Sequence, residues 1–250
     1  MQADHPTEDP PRLLRPLPPW GAGVVFRALV YTLAVIVALL MVIVAVYVSL
    51  DVDEGSPEEI AVSMIGQVFA NMAILAGIYW YVSRRGAGPG DFGFRSFDVG
   101  RWWWIVIAFV LASYATLAAY SGLVDLLESL LDRNVEFLMP ESNIPDEVTE
   151  SALVLVIAAL FSVGVAPLTE EMFFRGFVLG GLSRSWGLVV AVIGSSLLFG
   201  LVHGQGGLII PFSIVGAYLA FAYLYTRSLW GSVACHLTFN GISIAALALI

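Results

Sequence analysis

Charged residues in this chain come in clusters, separated by long stretches that hold none. Asp, Glu, Lys and Arg are absent from residues 28–50, 60–83, 102–124, 151–169, 185–226 and 228–250. A helix rising ~1.5 Å per residue crosses the hydrocarbon core of a bilayer in about 20 residues, so every run but 185–226 predicts one spanning helix. The 185–226 run is about twice the spanning length and is broken by Gly204, Gln205, Gly206 and Gly207, which predicts two passes joined by a tight turn. Residues 28–50 are read as a true span and not as a secretory leader, because the run exceeds an apolar leader core and "VYVSLDV" lacks a small-x-small cleavage pattern. The expected fold class is all-α: a polytopic membrane helix bundle of about seven transmembrane helices.

Composition strengthens this reading. Of 250 residues, 59% are hydrophobic and 12% charged, against roughly 45–50% apolar and ~25% charged in a soluble domain. Three segments follow: a proline-rich tail over 1–23, expected to be disordered or interfacial; N-terminal transmembrane helices over 24–140; and a helical core over 151–250. No polar segment is long enough for a separate soluble domain, and no Walker or CxxC pattern occurs. His5 lies in the tail. Cys235, the single cysteine, excludes an internal disulfide and reads as a small apolar helix residue.

Charge reports topology. All basic residues are arginine, and Arg12, Arg15, Arg27, Arg84, Arg85, Arg95, Arg101, Arg175, Arg184 and Arg227 fall on one side of the alternating loops, with Arg133 alone on the other. By the positive-inside tendency that side is cytoplasmic, so the N-terminus is expected inside and the chain in the cell membrane as a multi-pass protein. The net charge of −9 comes from acidic loops at 51–59 and 132–150 and calls for no nucleic acid; the bilayer and a membrane-associated peptide or protein are the expected partners. Trp102, Trp103 and Trp104 read as an interfacial aromatic belt, and the small residues of "IVGAYLAFA" as a close helix contact.

Chemistry must therefore come from polar residues inside the helices, where an ionisable group costs roughly 2.5–3.5 kcal/mol. In the C-terminal half these are Glu170, Glu171, Arg175, His203 and His236, with the amide of Asn240. Glu171 and Arg175 are four apart, so they share a helix face and predict an ion pair. Glu170 is turned away by about 100° and stays free. Two adjacent carboxylates repel, and burial disfavours their charge, a setting suited to a general base or acid. His236 and Asn240 also share a face, offering either a metal ligand with its neighbour or two groups aimed at an oxyanion.

If the helices through Glu170 and His203 form an antiparallel pair turning near Ser185, the two residues differ in height by about 5 Å. His236 lies ~14 Å past Arg227. It reaches the same level only if the Ser185 turn projects beyond the membrane face, which places the 204–207 glycines at membrane depth. Each polar group alone reads as helix packing or structural glue; their joint occurrence over 170–240 favours a site.

"EEMFFRG", "FGLVH" and "HLTFN" resemble the EExxxR, FxxxH and HxxxN motifs of the CPBP (CAAX protease and bacteriocin-processing) family of intramembrane metalloproteases, related to type II CAAX prenyl endopeptidases. The resemblance runs from about Pro167 to Asn240. It implies an intramembrane endopeptidase with its site open to the cytoplasm and 151–250 as the catalytic core. Glu170 would activate water, His203 and His236 would hold or polarise a metal or that water, and Asn240 would help His236 stabilise the oxyanion. Glu171 and Arg175 would orient and support. Zinc is the implied metal, with His203, His236 and Glu170 as its ligands. Ten residues follow Asn240, which leaves an oligomeric contact or a shortened substrate gate in place of an additional span. The alternatives are a non-catalytic scaffold or immunity-type partner, and a proton-relaying transporter, which the lack of an internal repeat disfavours.

Overall fold

The structure is a computed structural model that describes residues 17–53, 56–132, 135–138, 152–203 and 206–247. His5, most of the expected tail, the residues at Gly204 and Gln205 and most of the acidic loop before 152 lie outside these. Among the described residues the regular elements are all helical: α1 (Ala22–Leu50), α2 (Pro57–Ser83), α3 (Val99–Leu131), α4 (152–186), α5 (Leu188–Val202), α6 (Ile209–Thr226) and α7 (Leu229–Leu247). With α1, α2, α3, α4 and α6 all long and apolar enough to span, the protein is a multi-pass membrane helix bundle.

Local signals set the ends. Ser56 accepts from the Glu59 amide, with Pro57 in the first turn of α2, and Asp98 accepts from the Arg101 amide at the start of α3; both satisfy amides that have no partner within the helix. Gly187, at φ 84°, breaks α4 from α5 two residues beyond the expected Ser185 turn.

Two elements depart from the sequence expectation. The fourth span was expected over 151–169 with the glutamates near its cytoplasmic end; instead the helix continues to Trp186, and Glu170 lies midway along the 33 residues from Val154 to Trp186. That stretch is about 50 Å long, well beyond a ~30 Å hydrocarbon core. The opposite holds for α5, whose 15 residues rise only about 22 Å. The helix ends at Val202, short of the about 20 residues of a full crossing.

The end of the expected tail is packed, not free. Trp20 is 1% exposed; its ring lies 5.0 Å from Phe92 and 5.6 Å from Phe177, and its indole N–H donates to the Phe177 carbonyl at 3.0 Å. Arg184 donates to the Pro18 carbonyl, and the Ala22 amide to Ser185 Oγ. A buried indole needs an acceptor, and α4 supplies one.

The core draws on both halves of the chain. Val25, Ile78, Phe109, Phe177, Phe199, Leu219 and Phe239 belong to one buried cluster. The α3 helix lies against α6 and α7 through Thr116 to Tyr218 and Tyr114 to Ser243 hydrogen bonds, and α2 reaches α4. Trp103 and Trp104 remain exposed, as an interfacial belt requires.

Candidate active site

Pro167 shapes α4 just before the glutamates. The turn over Leu160–Val165 is a π-helix, so the Ala166 amide pairs with the Phe161 carbonyl five residues back. In that register the Ser162 carbonyl would next receive the amide of residue 167, and proline has none. The Ser162 carbonyl is left without a helical partner, and Asn240 Nδ2 of α7 donates to it at 2.7 Å. A second π-helix, Met172–Leu179, follows the glutamates. Single-turn π-helices are frequent at functional sites; here they flank the carboxylates on both sides.

Within α4 the two glutamates face different partners. Glu171 is fully buried and its Oε1 accepts from Arg175 Nη1 at 2.8 Å. The other end of the guanidinium donates to the Gly216 carbonyl of α6 at 2.9 Å, and its centre lies 4.6 Å from the Phe199 ring. A buried charge is tolerable only when paired and hydrogen-bonded, and this arginine is both. Close approach is needed here: a Cβ on Gly176 would meet the Phe92 carbonyl at 2.8 Å, so the glycine of "FFRG" lets α4 touch the backbone of the 89–92 turn.

The same Glu171 oxygen lies 2.9 Å from Nδ1 of His236, while Nδ1 of His203 lies 2.7 Å from the Phe199 carbonyl. A carbonyl only accepts, and so does an ionised carboxylate, so Nδ1 carries the hydrogen in both rings. In the neutral imidazole this leaves the lone pair on Nε2. Both Nε2 atoms face Glu170: His203 Nε2 is 3.7 Å and His236 Nε2 3.9 Å from Glu170 Oε2. That oxygen is buried and has no hydrogen-bond partner. Two imidazole lone pairs and an orphan carboxylate oxygen therefore converge on one point, an electron-rich arrangement that a water molecule, a proton or a metal cation would satisfy.

Zinc can be tested on this geometry. Its ligand set of imidazole nitrogens and a carboxylate oxygen is right in kind, and the Nδ1 hydrogen bonds to Glu171 and to a backbone carbonyl are the outer partners that metal-bound histidines have. Ligand atoms at ~2.0–2.1 Å from a tetrahedral zinc are about 3.3 Å apart, so each histidine nitrogen would have to approach Glu170 Oε2 by about half an ångström. Among the described residues no group of three His, Cys, Asp or Glu is placed to hold a metal ion.

The structure thus brings Glu170, His203 and His236 together, places Glu171 and Arg175 behind them, and sets Asn240 beside them on the same cavity. That cavity, about 620 Å³, is lined by Tyr114, Phe161, Glu170, His203, His236 and Asn240 among others. A second cavity of about 380 Å³ lies on the far side of Glu170 and His203, against α1 and α2. His203 is held between rings, 4.3 Å from Phe199 and stacked on Phe212 at 4.9 Å and 11°. Sequence reading passed over Phe212 and the Ser162 carbonyl. It also passed over Gln67, which lines both cavities. The available signal for Gln67 was an amide, repeated four residues later by Asn71, inside a run with no charge.

The helices that carry these groups were compared with known proteins. Residues 152–242 match the family model of the type II CAAX prenyl endopeptidases, Rce1-like. This core is similar to that family. A protein of Bacillus subtilis (strain 168) described as "Putative membrane peptidase YdiL" is 28% identical over 95 residues, which are 38% of this chain and 37% of that protein. The similarity thus spans well under half of that relative. No solved structure matches the chain. The matched region begins at the first turn of α4, ends two residues after Asn240, and holds every group of the site; α1, α2 and α3 lie outside it and supply the outer walls of the cavities.

Proposed function

We propose that the protein is an intramembrane endopeptidase in which Glu170 activates water for attack on a peptide bond. The observation that carries this reading is the convergence of His203 Nε2 and His236 Nε2 on the unpartnered Oε2 of Glu170, together with the Rce1-like match of the segment that holds all three.

In this reading Glu170 accepts a proton from the attacking water and returns it to the leaving amine, the general-base and general-acid roles of a single carboxylate. The other hydrogen of that water is accepted by the Nε2 lone pair of His203 or of His236, which orients it. Glu171 fixes the tautomer and angle of His236, and Arg175 keeps Glu171 charged and immobile. Asn240 spends one N–H on Ser162; an amide nitrogen has two, and the second is assigned to the carbonyl oxygen of the scissile bond as charge develops on it. Zinc, if bound, would be held by His203, His236 and Glu170 and would supply Lewis-acid polarisation. The arginine distribution supports a site reached from the cytoplasm, and the apolar cavity supports a membrane-associated peptide or protein as substrate.

The test is cleavage of a quenched-fluorescent decapeptide library by the purified protein in detergent, compared with His236→Ala. Cleavage by the wild type and its loss in the variant are expected. Equal cleavage by both would remove His236 from the chemistry, and absence of cleavage by the wild type would favour the scaffold.

A further inference from the structure

On α2, Gln67 and Asn71 are neighbours on one helix face, and both line the cavity between α1, α2, α4 and α5 that contains Glu170 and His203. Gln67 also lines the larger cavity on the other side of the pair, so it stands where the two spaces meet across the Glu170–His203 contact. Neither amide hydrogen-bonds a described residue, whereas Glu171, Arg175, His203, His236 and Asn240 are each tied to the protein; Thr32, on the same smaller cavity, and Glu170 also have an oxygen without a partner. A side-chain amide on a spanning helix, with no partner and facing a cavity, is in want of one.

The spacing indicates which partner fits. Four residues of α-helix rise about 6.0 Å, and alternate peptide units on one edge of an extended chain repeat every ~6.6–6.8 Å. Each amide offers a donor and an acceptor, the complement of a backbone N–H and C=O. We propose that Gln67 and Asn71 are substrate-positioning residues that pair with two peptide units, two residues apart, of an extended substrate lying across Glu170 and reaching into both cavities. This rests on the hydrolytic reading for the identity of the substrate as a peptide. Gln67 would hold the unit next to the scissile bond, and Asn71 the next unit along the smaller cavity.

The test measures binding separately from cleavage. The tightest-binding member of a fluorescein-labelled decapeptide library is titrated by anisotropy against the full chain carrying Glu170→Gln, and then against the same protein with Gln67→Leu or Asn71→Leu added. Each peptide nitrogen is methylated in turn. Methylation at two nitrogens, two residues apart, is expected to weaken binding about tenfold, roughly the worth of one hydrogen bond. Gln67→Leu should cause a similar loss by itself and abolish the effect of one of the two methyl groups; Asn71→Leu should abolish that of the other. A structural role for the amides would instead leave the methylation pattern intact. Additive losses, or unchanged binding in both leucine variants, would overturn the proposal. A protein that binds with this pattern but never cleaves when Glu170 is present contradicts the hydrolase alone; one that binds no peptide contradicts both.

Discussion

At the scale of the residue, the site depends on the two adjacent glutamates facing different partners. Glu171 and Arg175 were legible in the sequence because both members of the pair sit on one helix, where spacing alone fixes proximity. The meeting of Glu170 with His203 was legible by counting residues to the turn between two adjacent helices. Asn240 was legible as a polar group on the face of His236, but its acceptor was not: the Ser162 carbonyl is freed by a backbone register that no side-chain pattern reports. The buried ion pair gives a sharp prediction. Arg175→Met leaves the buried charge of Glu171 without its cation and with only the His236 hydrogen bond, and should destabilise by about 3–5 kcal/mol, read as a lowered melting temperature in detergent. Combining it with Glu171→Leu should recover much of that stability without recovering activity, because His236 loses its orienting carboxylate. A double variant as unstable as the single one would show that the arginine stabilises through Gly216 and the aromatic rings instead.

At the scale of the element, α4 does most of the positioning, and its two π segments were not foreseeable from hydropathy, which reads a π turn and an α turn alike. Pro167→Ala would restore an amide within reach of the Ser162 and Val163 carbonyls and so compete with Asn240 for the acceptor. The melting temperature should hold or rise, since proline in a helix interior is costly, while kcat falls about tenfold through the loss of one hydrogen bond that orients Asn240. Activity at the wild-type level would argue that Asn240 needs no anchoring. The contact of α4 with the 89–92 turn predicts that Gly176→Ala costs roughly 1–3 kcal/mol by overpacking, because the opposing atom is a backbone oxygen and cannot rotate away. An unchanged melting temperature would refute that close approach.

At the scale of the whole molecule, the helices outside the Rce1-like match wall the cavities, and the chain before α1 is tied to the same helix that carries the glutamates. Apolar runs made the number of helices legible. They did not reveal that Trp20 reaches back to Phe177, since a contact across 157 positions leaves no local trace, nor that α5 stops short of a full crossing. Trp20→Ala should destabilise by about 3–5 kcal/mol, measured by thermal unfolding; a loss below about 1.5 kcal/mol, the low end for a fully buried large apolar side chain, would mean that this anchor contributes little. The central claim is that three helices bring one carboxylate and two imidazole lone pairs to a single point where a peptide bond is hydrolysed. Its most direct test is kcat/KM of the purified full chain and of Glu170→Gln on the best-cleaved member of the decapeptide library. Glutamine keeps the shape but cannot accept the proton, so with an unchanged melting temperature the rate should fall by about 10²–10⁴-fold; a variant that cleaves at the wild-type rate would contradict the account.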